Sequence, residues 1–140
     1  MRTPAMLLPV AALLLALAAC APSTKAVMAT GQSAVELRSY QQRAFDTSDK
    51  EKTMRTVIST LQDLSFVVDK ADLELGTVSA TKLSGYQLRM TVTVRPRGAS
   101  QMLVRANAQF MTQAVEEPKP YQDFFTSLEK AMFLTAHEVD

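Results

Sequence analysis

Few side chains in this chain have types that do chemistry. Its 140 residues include one cysteine, one histidine and no tryptophan. His137 lies beside Glu138 and near Asp140, but zinc asks for three or four protein ligands and there is no second histidine. The simpler reading is a histidine at a helix end, facing the negative end of the macrodipole. Asp46 and Asp49 flank Ser48, and Asp69, Asp72 and Glu74 precede Gly76. Neither group follows the alternating ligand order of a calcium loop, so both read as helix-start and turn acids. Ser39, Ser79 and Ser84 have no histidine base in reach, which leaves Lys82 as the one conceivable partner. No glycine-rich phosphate loop, G-x-S-x-G elbow or H-E-x-x-H helix occurs. A non-enzymatic protein without cofactor or metal is the expectation.

Arginine is the remaining recognition chemistry. Arg89, Thr91, Thr93 and Arg95, then Arg105, Asn107 and Gln109, fall at every second position, so in strands they share one face. Guanidinium groups grip planar anions in a bidentate way, which makes Arg89, Arg95, Arg105, Asn107 and Gln109 the candidate partner-binding residues. A charged, solvated face that discourages aggregation is the plainer alternative. Leu103 and Met111 have the same parity and would add apolar contact.

The elements that must position these residues follow from periodicity. Glu36 to Thr47 has strand-compatible composition. Ser48 and Glu51 have capping-box spacing, and Met54, Val57, Ile58, Leu61 and Leu64 then recur at helical intervals up to Ser65. Phe66 to Val68 begins a strand, Asp69 to Gly76 reads as a turn, and Thr77 to Lys82 is a further strand. Tyr86, Leu88, Met90, Val92 and Val94 alternate with polar residues. Pro96 to Ser100 turns the chain, and Met102, Val104, Ala106, Ala108 and Phe110 resume the alternation. A closing helix places Tyr121, Phe124, Phe125, Leu128, Ala131, Met132 and Thr135 on one side. The order β-α-β-β-β-β-α predicts a two-layer α+β domain, an antiparallel sheet of about five strands with two helices on one face.

The N-terminus carries an address. Arg2 opens it, Met6 to Ala19 is almost wholly apolar, and Pro9 interrupts a stretch already short for a membrane span. Leu17-Ala18-Ala19-Cys20 resembles the lipobox of bacterial lipoproteins. The resemblance implies that residues 1–19 form a signal peptide that is removed, and that the Cys20 thiol takes a diacylglycerol. Acylated (palmitate-type) Cys20 then becomes the mature N-terminus and binds the bilayer. More than one acyl chain makes a stable anchor. Ala21, in place of Asp, resembles lipoproteins sent to the outer membrane, on its periplasmic face, and not those kept at the inner one. Residues 20–35 are then a lipidated, Pro- and Ser-containing tether reaching about 20 Å, and residues 36–140 a single domain.

Composition narrows the partners. Lys and Arg number 15 and Asp and Glu 14. Arg2 lies in the leader, so the remainder is formally neutral, and neither nucleic acid nor an anionic lipid surface is indicated as a global partner. With Cys20 lipidated, no internal disulfide can form.

Leu61 to Val68, followed by Asp72, Leu75-Gly76-Thr77-Val78 and Ala80-Thr81-Lys82, resembles a signature of small uncharacterised proteobacterial lipoproteins, with Ser65 where those proteins carry glycine. The element order is similar to the helix-grip domain of the BamC family of the outer-membrane barrel assembly machinery. The match is a motif over about Arg43 to Lys82 and element order elsewhere, and it bears on fold. The function expected is a membrane-anchored binding or envelope-assembly module, with an envelope protein or another periplasmic partner. The alternative is a hydrophobic-ligand carrier with a cavity between helices and sheet, lined by Met54, Met90, Met102, Phe110, Phe124, Phe125 and Met132.

Overall fold

The structure is a computed structural model and describes residues 34–83 and 87–136. The expected leader, Cys20 and most of the expected tether lie outside these residues, as do Ser84, Tyr86, His137, Glu138 and Asp140. The described chain is a small α+β domain built on an open antiparallel sheet.

It begins in a helix. Residues 34–41 (α1) are helical, and only Gln42–Phe45 (β1) is extended, which corrects the expectation of a strand from Glu36 to Thr47. The segment is rich in helix formers such as Glu36, Leu37, Arg38 and Gln41. Helical spacing lets Leu37 and Tyr40 pack on the core, and Gln41 is only 8% exposed.

The second helix, Lys50–Asp63 (α2), starts one residue later than a Ser48 capping box requires. Asp49 is the N-cap and accepts from the Lys52 amide at 2.9 Å, while Glu51 pairs with Arg55 one turn on. A carboxylate at this place satisfies an orphan amide and meets the positive end of the helix. Met54, Val57 and Leu61 are buried as their spacing predicts. Thr53, Thr56 and Thr60 are buried too, each hydroxyl donating to the carbonyl four residues back, so burial leaves no donor unpaired. At the far end Ser65 adopts φ 68°. Its amide donates to Gln62 O and that of Phe66 to Leu61 O, both at 2.9 Å, a Schellman stop sealed by buried Leu61 and Phe66.

Strands Val67–Asp72 (β2), Thr77–Lys82 (β3), Leu88–Arg97 (β4), Gln101–Phe110 (β5) and Gln113–Ala114 (β6) follow. The sheet order is β1-β5-β4-β3-β2, with β6 also on β5. Six strands thus replace about five. β2 runs through Asp72, beyond the turn expected from Asp69, because a register shift between Val68 and Lys70 accommodates Asp69 as a bulge. Pairing of β4 with β5 also continues past Pro96, to Arg97 opposite Gln101. The Val94 amide points toward β3, donating to Gly76 O at 2.7 Å. The Pro96 nitrogen, two residues on, faces the same side, where β3 has ended, so its missing N–H removes no ladder bond.

Helix Pro118–Ala136 (α3) closes the domain. Its two prolines, Pro118 and Pro120, occupy the first turn, where a missing amide is harmless. α2 packs on β2, β3 and β4, α3 packs on β5, and the two helices touch. The core lies between them and one sheet face. Val78, Ala80, Met90, Val92, Val94, Val104 and Ala106 from the sheet meet Tyr121, Phe124, Phe125 and Leu128, all fully buried. Phe124 and Phe125 stack edge to face with centroids 5.0 Å apart.

Candidate functional site: the open sheet face

Alternation that buries the even-numbered residues of β4 and β5 turns the odd-numbered ones to the face that α2 and α3 leave uncovered. Cross-strand pairing arranges them in rows. Arg97 stands opposite Gln101, Arg95 opposite Leu103, Thr93 opposite Arg105, Thr91 opposite Asn107, and Arg89 opposite Gln109. β3 extends these rows with Thr77, Ser79 and Thr81, and β2 with Asp72, Lys70 and Val67. The candidate residues Arg89, Arg95, Arg105, Asn107 and Gln109 therefore share one face.

They are not one cluster. Arg95 and Arg105 are diagonal neighbours, about 7–8 Å apart at that spacing, with Asn107 next along the strand. Arg89 lies four residues from the Thr93 row, about 13 Å away along β4. Among the described residues, ion pairs join Arg43 to Glu129, Arg55 to Glu51 and Lys119 to Asp123, and none takes up Arg89, Arg95, Arg97 or Arg105. The nearby acids are engaged: Asp69 accepts from Thr81 Oγ1 at 2.6 Å and Asp46 from Gln101 Nε2 at 2.7 Å.

Arg97 escaped the sequence reading because Pro96 was expected to end the strand. A charge signal was available for it. From Leu75 to Val115 there is no Asp or Glu, while Lys82, Arg89, Arg95, Arg97 and Arg105 fall inside that span. Of the two apolar residues expected beside the arginines, Leu103 is half-buried on this face. Met111 instead occupies the β5–β6 turn with φ 54° and is 71% exposed.

Other candidates separate. Ser79 and Lys82 do have S-x-x-K spacing, but on a strand three residues apart means opposite faces. Ser79 faces Thr91 across the open side at 3.5 Å, and Lys82 lies over the Phe66 ring at 5.6 Å on the helix side. Ser127 and Lys130 repeat the spacing in the middle of α3, where Lys130 is exposed. Ser39 donates to Glu36 O at 2.6 Å. In the Asp69 to Gly76 segment, Asp72 accepts from the Leu75 amide at 2.9 Å and shapes the turn.

Met54, Met90, Met102, Phe124 and Phe125 fill the core. A pocket of about 520 Å³ opens instead at the end of the sheet, floored by Leu88, Phe110, Val115 and Pro120 and bordered by Glu116 and Glu117. Of the residues expected to line a cavity, it contains Phe110. In comparisons with known proteins the chain matches no family model, and no curated protein matches it.

Proposed function

We propose that the chain is a lipid-anchored envelope protein whose domain is a non-enzymatic binding or assembly module. In this reading residues 1–19 are cleaved, Cys20 is acylated, and the domain works at the periplasmic face of the outer membrane. The fold is then of the helix-grip kind, resembling that of BamC. The observation that carries the functional reading is the uncovered sheet face, where Arg89, Arg95, Arg97 and Arg105 stand free of ion pairs with the described residues.

The test is photo-crosslinking in intact cells with a reactive residue at position 95 and a control at position 130 on α3. A discrete protein adduct at 95 alone supports a sheet-face module and identifies its partner by mass. A folded, lipidated protein that gives no adduct at 95 overturns it.

A hydrophobic-ligand carrier is the second reading, and the pocket bordered by Leu88 and Phe110 favours it. Native mass spectrometry of protein purified without denaturation decides it. A carrier retains ligand mass, and a bare monomer mass counts against one.

A further inference from the structure

We infer that the open face holds an extended acidic peptide segment of the partner, laid along β4 and β5. This rests on the sheet-face reading and adds what fills the face. Arg97, Arg95 and Arg105 occupy three successive cross-strand rows, the first two on β4 and the third one strand across on β5. A row of hydroxyl and amide side chains follows, and then Arg89. Successive rows on one face repeat every two residues, about 6.8 Å. An extended chain repeats its own same-side residues at that interval, so carboxylates at its first, third, fifth and ninth positions meet the four arginines in turn.

Charge and surface chemistry agree with that occupant. β3, β4 and β5 contain no acidic residue, so the stripe has no internal counter-charge and is complementary to an anionic chain. Between the arginines, Thr91, Thr93, Asn107 and Gln109 offer donors and acceptors to the backbone of a bound peptide. A lipid surface fits less well, since binding there draws on apolar side chains that enter the interface. The large apolar side chains on this face are Val67, exposed on the edge strand β2, and half-buried Leu103 opposite Arg95, three strands apart and too few to enter a bilayer together. Exposed Leu73, Leu75, Leu83 and Met111 sit in turns and beyond strand ends.

The experiment uses the mature lipidated protein in uncharged detergent and fluorescence anisotropy of a labelled peptide of Glu and Thr. One probe carries Glu at positions one, three, five and nine, and a second of equal composition carries its Glu residues contiguously. The alternating probe is expected to bind saturably and at least about fivefold more tightly than the contiguous one. The R95Q/R105Q variant should weaken it by about tenfold or more at an unchanged melting temperature, while R55Q on α2 should leave it unaltered. No saturable binding, equal affinity for the two probes, indifference to R95Q/R105Q, or capture only by phosphatidylglycerol vesicles would overturn the inference. A cellular adduct at position 95 together with any of these outcomes removes the acidic peptide and leaves the sheet-face module standing. The absence of that adduct removes the module itself.

Discussion

The hydroxyl of Tyr121 accepts the backbone amide of Ala108 at 3.2 Å and so occupies a gap in the sheet edge. β1 pairs with β5 from Met102 to Arg105, and β6 pairs with it at Gln109 and Phe110. Between them Ala108 turns both its polar groups outward, the amide to Tyr121 and the carbonyl to the Val115 amide at 2.9 Å. The same hydroxyl donates to Val115 O at 2.6 Å and receives Gln41 Nε2 at 3.4 Å. One buried side chain thereby ties α1, α3 and the β6 return to a single point of the ladder.

Tyr121→Phe keeps the packing and leaves the Ala108 amide and one Val115 carbonyl bond unmade. The expected cost is about 1–3 kcal/mol, read by urea denaturation, with faster hydrogen exchange at the Ala108 amide. Unchanged exchange there would contradict the role given to the hydroxyl.

Ser65→Gly should stabilise the domain. The left-handed conformation costs a side chain about 1–2 kcal/mol, and glycine's extra freedom in the unfolded chain takes back about 0.5–1 kcal/mol. A gain of roughly 0.5–1 kcal/mol is expected from these opposing effects, visible as a higher denaturation midpoint at constant slope.

Gly76→Ala should destabilise strongly. Gly76 has φ 68°, and a Cβ there meets the backbone oxygen of Val94 at 2.3 Å, so strain and collision add. A loss of about 3 kcal/mol or more is expected, measured by thermal unfolding.

Arg95→Gln with Arg105→Gln should leave stability within about 0.5 kcal/mol of the parent, because neither guanidinium has an ion pair among the described residues to lose. Added salt should raise the melting temperature of the parent slightly more than that of the double variant, since it screens like charges held on one face. Calorimetry at two ionic strengths checks both.

Cys20→Ser should abolish incorporation of labelled palmitate and leave residues 1–19 attached, because cleavage follows acylation in this reading, so the protein should run at its larger, uncleaved size. Palmitate labelling that persists in the variant would count against Cys20 as the lipid anchor.

Periodicity alone made β4, β5 and the apolar stripes of α2 and α3 legible, since Met90, Val92 and Val94 alternate and Val57 and Leu61 follow helical spacing whatever surrounds them. Two strands with one apolar side each and two helices with one stripe each have few ways to bury that surface, so a helix-backed antiparallel sheet was legible as well. The common face of Arg89, Arg95 and Arg105 came from the same parity. Tertiary structure decided the rest. Residues 36–41 are compatible with either state. They become helical because Leu37 and Tyr40 find the core that way, and because the β5 edge beyond Arg105 is taken by Tyr121 and β6. Arg97 joins the face because β3 stops short and frees the side of β4 toward which the Pro96 nitrogen points. Local pattern determines which side of an element is apolar. Which edge is already occupied, and therefore where a strand must end, depends on residues far away in the chain.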